Sequence, residues 1–267
     1  MEQNKKGLNT LAFCLGILLA GVLIQTAGWL KGDRLVFPDV GEILRTFVRM
    51  LGEERTWQQI GTTLVHLVEA LAAAAAIGTA LGLAQGKSMF IRNLLKPLMI
   101  LLRSIPMIVM TVIIMVLTKY ERVPLIASAL MLIPLISEAT AEGLRRIEPE
   151  MIDVYRMNGG LSMKVAIHVY IPLVSGYLKQ SFINAAGMGL KVAVSAEYLV
   201  QIRDSLGKAI YNSGYFSEYA EIYAYALIMI LLVLTITSIP ELILKHGAFR
   251  WKKQGGIWTD HTKNYRK

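Results

Sequence analysis

Residues 151–172 read MIDVYRMNGGLSMKVAIHVYIP and sit in a polar, basic interlude (139–179) between long apolar runs. Pro149 suits the first turn of a helix, where its missing N–H is not needed. Glu150 and Asp153 then fall in the first turns, where the helix dipole favours negative charge. Gly159 and Gly160 can end that helix in a left-handed turn. Ser162 is placed to cap a second short helix, and Pro172 precedes the next apolar run. The expected shape is helix, glycine turn, helix. Arg156, Met157, Met163 and Val165 would give this foot a mixed polar and apolar surface for a partner.

The surroundings of the foot place it at a membrane. The chain has 267 residues, 54% hydrophobic and 18% charged, with a mean hydropathy of +0.49. A soluble domain carries more charge and less apolar content. The expected class is therefore all-α integral membrane. Residues 8–30 hold no charge over 23 positions; as a helix they rise roughly 34 Å, enough for a bilayer core. A cleavable signal peptide is the rival, and the run is long for one, with no clean small-x-small site after it. Further spans are expected at 61–86, 97–118, 123 to about 137, 181 to about 200, and 222–240, making six. The expected units are 1–59 (first span and an outer amphipathic segment), a core at 60–245, and a basic tail at 246–267. Val40, Ile43, Leu44, Phe47, Val48 and Leu51 share one helical face, as in a helix lying on a membrane or capping the fold. Ala70, Ala74, Gly78, Gly82 and Gly86 recur every four residues, as do Ser181, Ala185, Gly189 and Ala193. Such rows let helix backbones approach closely.

The net charge of +9 is one of orientation. With the N-terminus inside, 17 of the 28 Lys and Arg residues fall in cytoplasmic segments and nine in outer ones. By the positive-inside rule both ends and the 139–179 loop are cytoplasmic. Cys14 is the only cysteine, so no internal disulfide can form. No zinc spacing, phosphate-binding loop or dinucleotide fingerprint occurs.

The foot has a specific pattern: Asp153, six positions before Gly159, then nine residues, then Val169, Ile171 and Pro172. It resembles the EAA loop of binding-protein-dependent ABC importer permeases. That resemblance implies a type I permease fold in which Asp153, Arg156, Met157, Gly159, Gly160, Val169, Ile171 and Pro172 dock on a cytoplasmic ATPase. The family's two alanines are replaced by Val154 and Tyr155. Arg103 to Pro106, Gly143, Ala196-Glu197 and Ser205 to Gly207 with Ile210 are similar to the nitrate/sulfonate/taurine/bicarbonate subfamily. The resemblance implies two permease copies, two ATPase copies and an extracytoplasmic binding protein or lipoprotein. ATP and magnesium would sit on the ATPase, and this chain would bind no cofactor or metal. The implied location is the bacterial inner membrane.

Charges at bilayer depth cost roughly 2.5–3.5 kcal/mol each on insertion scales. Glu69, Arg103 beside Pro106, Lys191 and Glu197 are therefore candidates for a polar translocation path. Structural pairing of Glu69 or Glu197 with Lys191 or Arg103 is the competing expectation. His66 and Glu69 are three apart and share a face. Two other functions stay open: an ion-gradient transporter, which an inverted repeat would favour, and a membrane enzyme, for which His66 and Glu69 are a sparse set.

Overall fold

The computed structural model describes residues 38–146 and 171–254, with Thr26 and Val36; side chains in the second block are described for 175–238. The expected first span, most of the foot and the end of the tail lie outside the described residues.

Helix α1 runs Val40–Leu51, the bounds its apolar spacing implies. Ile43 and Met50 are buried, and Phe47 and Leu51 pack against the same core. Leu44 and Val48 face outward. Arg49 donates to Glu221 at 2.9 Å, tying α1 to the last helix. Just outside that helix, a hydrogen bond with Glu221 lifts the Glu218 carboxyl above its ordinary range.

Helix α2 spans Glu54–Lys87 and starts about two polar turns before the expected span. After Ser88, α3 spans Met89–Ser104 and α4 spans Met107–Leu117. A 3-10 turn at Tyr120–Arg122 leads into α5, Val123–Arg145. Then come α6 (Ile171–Val200), α7 (Leu206–Tyr215) and α8 (Tyr219–Gln254).

The small-residue rows do what their spacing implies. Ala70 and Ala74 are fully buried, and α2 lies against α5 along this row. A Cβ on Gly78 would stand 3.0 Å from Ile136 Cβ, and one on Gly82 would stand 2.5 Å from both the Ser137 carbonyl and Thr140 Cβ. On α6, Ala185 and Ala193 are fully buried, and a Cβ on Gly189 would meet Leu67 Cδ1 at 2.8 Å. Leu132, Ile136, Leu144, Leu178 and Ala185 fill the centre of the α2–α5–α6 layer. A second core joins α1, α2, α6, α7 and α8 around Leu67, Leu190, Leu206 and Tyr225.

Three boundaries differ from expectation. The span at 97–118 is two helices meeting at a bend of 102°. Ile105, before Pro106, is extended (φ −69°, ψ 123°), because the proline ring disfavours helix at the preceding residue. The loop at 139–179 is helical at both ends, through Arg145 and from Ile171, with Pro172 tolerated in a first turn. The tail is helical as far as Gln254. Among the described residues three helices are long and apolar enough to cross a membrane, or four with the bent pair taken as one. At 30 residues α6 is long enough, but Asn184, Lys191 and Glu197 make it less apolar, and its neighbours enclose it on most sides.

Candidate functional site

Enclosure of α6 leaves one row uncovered. Asn184, Met188, Lys191, Ser195 and Tyr198 are exposed at spacings of four, three, four and three, while the positions between them are buried. That is one face of a 3.6-residue helix. Lys191 was expected to line a path, and it lies in this row. Among the described residues it makes no ion pair with a carboxylate. Its carbonyl accepts from Ser195 Oγ at 2.8 Å. Asn184, Met188, Ser195 and Tyr198 were not singled out from sequence. The signal was there, since polar residues at 184 and 195 share a helical face with the charge at 191.

Glu197 points the other way. Its side chain is fully buried and accepts from Thr63 Oγ1 at 2.8 Å and from the Gly207 N–H at 3.3 Å. His66 Nδ1 lies 2.7 Å from its second oxygen. Thr63 Oγ1 in turn accepts the Leu206 N–H at 3.1 Å. The carboxylate thus sits at the N-terminus of α7, where unpaired N–H groups and the helix dipole favour an anion. It pins α2, α6 and α7 together. The turn that brings α7 back uses Gln201 and Asp204 in left-handed conformations (φ 58° and 53°), and Ser205 caps α7 by accepting from the Lys208 N–H. At Gly207 a Cβ would collide with the Tyr198 N–H and the Val194 carbonyl. Glu197 therefore pairs with His66, not with Lys191 or Arg103, and His66 turns away from Glu69, which is exposed.

Arg103, the last charged residue of α3, donates to the Pro134 carbonyl at 3.1 Å and to Glu138. Both partners lie on α5. Pro134 itself lacks the N–H that would close a helical bond to Leu130, so the helix is already loosened there. Arg103 fixes the first arm of the bend, α3, and Pro106 starts the second as the residue before α4. These two expected site residues act on the same bend.

Asp153, Arg156, Met157, Gly159, Gly160 and Val169 lie outside the described residues; Ile171 and Pro172 begin α6. The stems of the foot are defined. Glu142 accepts from Arg145 at 2.6 Å and Arg146 at 3.1 Å, where α5 ends. The Arg146 guanidinium lies 5.5 Å over the Tyr177 ring on α6. This cation–π contact bridges the two ends of the loop. No group of three or more His, Cys, Asp or Glu residues able to hold a metal occurs among the described residues.

Residues 74–253 match the family described as "binding-protein-dependent transport system inner membrane component". Among solved structures the chain is similar to the MetNI methionine ABC transporter in inward-facing conformations, in its CY5 native crystal form. The likeness has a TM-score of 0.60 at 16% identity and covers 71% of this chain and 93% of that chain. At that identity it speaks to fold. No curated protein matches. The chain belongs to the binding-protein-dependent inner membrane component family: it is a multi-pass permease subunit of an ABC importer, working with an ATPase and a substrate-binding protein and not itself an enzyme.

Proposed function

We propose that two copies of this chain form a path for a small hydrophilic solute, lined by the uncovered row of α6 from each copy. The observation that carries this reading is the polarity of that row. Lipid-facing positions on a helix need apolar side chains, whereas Lys191 needs water or a polar partner, and Asn184 and Ser195 are met within α6 only in part, by Gln180 and the Lys191 carbonyl. A second copy, or a water-filled gap between copies, supplies the rest. Both termini and the 151–172 foot lie in the cytoplasm, where each foot docks on one of two ATPase copies. ATP closes the ATPase dimer, draws the feet together and opens the path outward to a binding protein; hydrolysis reverses this. The feet must make different contacts in the two states, since equal contacts would shift nothing. The range set by the subfamily resemblance is nitrate, sulfonates, taurine, bicarbonate and some vitamin precursors, and the external receptor does most of the choosing among them.

Cysteine labelling tests the path without knowledge of the solute. In a Cys14→Ser background, Asn184→Cys, Met188→Cys and Ser195→Cys are expected to react with a water-soluble maleimide in membranes holding the assembled importer. Leu94→Cys and Leu98→Cys, on the outer face of α3, are expected to stay unlabelled. Labelling of the α3 positions with protection of all three α6 positions overturns the assignment.

A further inference from the structure

A cavity of about 490 Å³ opens between α3 and α5, at the end of the bundle from which the foot emerges. Four cations converge on it: Arg92, Lys96, Arg103 and Arg145. Two carboxylates face them, and both are engaged: Glu138 by Arg103, and Glu142 by Arg145 and Arg146. Arg92 and Lys96 have no carboxylate partner among the described residues. Among the described residues the cavity therefore keeps two uncompensated positive charges.

Sequence alone explains cations on this side of the membrane, but not their arrangement. Arg92, Lys96 and Arg103 occupy one face of α3, together with Met99. The opposite face carries Phe90, Leu94, Leu98 and Leu101, all exposed. Helix α3 thus turns its charged face inward to the cavity and its apolar face outward, the orientation a lipid surround demands. Arg92, Lys96 and Arg145 line the cavity toward the helix ends that flank the foot, and Met99, Ile100 and Leu135 follow further along α3 and α5, beside the Arg103–Glu138 pair, which is closed on itself. Open cations next to apolar side chains match a molecule with an anionic head and a hydrocarbon body.

We propose that this cavity binds a phosphate group, and specifically the headgroup of an anionic phospholipid of the inner leaflet. Basic pockets between spans on the cytoplasmic side suit such headgroups. Arg92 and Lys96 ligate the phosphate oxygens, the guanidinium in a forked geometry and the ammonium as a point charge. The acyl chains run along Met99, Ile100 and Leu135. The ligand bridges α3 to α5 next to the stem of the foot, so its occupancy bears on the part of the permease that meets the ATPase. The assignment to the inner leaflet rests on the orientation proposed above, whereas binding measured in detergent does not.

The test uses the delipidated permease–ATPase complex in detergent, with ligand retention read by native mass spectrometry and by the thermal midpoint. The probes are short-chain phosphatidylglycerol, phosphatidylcholine with the same chains, and inorganic phosphate. Phosphatidylglycerol is expected to bind and raise the midpoint, and phosphatidylcholine is not. The double variant Arg92→Gln with Lys96→Gln is expected to weaken that binding about tenfold or more. The charge-keeping double variant Arg92→Lys with Lys96→Arg is expected to retain most of it, which separates loss of charge from loss of fold. Retention of inorganic phosphate with the same variant dependence supports the phosphate site and assigns it to a soluble anion. Equal binding of the two lipids, or phosphatidylglycerol binding untouched by the double glutamine variant with no phosphate bound, overturns the proposal.

Discussion

Gly82 has the Ser137 carbonyl and Thr140 Cβ in the space its own Cβ would fill. Gly61, on the same helix, has nothing within 4 Å of that position. Gly82→Ala is therefore expected to lower stability by about 1–3 kcal/mol, and Gly61→Ala to leave it unchanged or raise it by up to about 1 kcal/mol. Thermal unfolding of the purified complex checks both, and equal midpoints contradict the packing. Glu197→Ala leaves Thr63, His66 and the Gly207 N–H without their shared acceptor. It is expected to cost about 1–3 kcal/mol, and Glu197→Gln, which keeps one acceptor oxygen, less. Wild-type stability of Glu197→Ala would contradict the role of Glu197 in joining α2, α6 and α7. These two residues differ in how far sequence reveals them. The spacing of Gly82 within a four-residue row announces close packing. Glu197 and Arg103 were both visible as charges at depth, but their partners lie 131 and 35 residues away and cannot be read from a period.

The bend between α3 and α4 shows which element boundaries are local. Pro106 removes an N–H and forces Ile105 out of helix, so the break is written in two adjacent residues. Its angle is not, because it depends on Arg103 reaching Pro134 and Glu138 on another helix. The stripe on α6 is similar: its period lies in the sequence, but which face is left uncovered depends on α2, α5, α7 and α8. Pro106→Ala permits helix at Ile105 and restores an N–H to the chain. It is expected to straighten the bend and to lower solute-stimulated ATPase activity of the assembled importer by about tenfold, near 1.4 kcal/mol in barrier terms. Wild-type activity in that variant would show that the bend takes no part in transport.

At the scale of the whole molecule, an apolar layer of α2, α5 and α6 carries two devices at its ends. At one end Glu197 locks α7 over the bundle; at the other the Glu142–Arg145–Arg146 cluster and the Arg146–Tyr177 contact hold the two ends of the 147–170 segment. Composition and long apolar blocks make the membrane class legible, and the row of small residues makes the central helix pair legible. The six-span plan goes further than the four candidate crossings found among the described residues, because the span expected at 8–30 lies outside those residues and α6 trades apolar character for polar positions. The central claim is that force enters through residues 151–172. Its most direct measurement is the amount of partner ATPase that co-purifies with tagged permease from membranes. Wild type is expected to retain the ATPase, while Gly159→Asp and Asp153→Lys each lose it at unchanged permease yield; wild-type retention by both variants would contradict the claim.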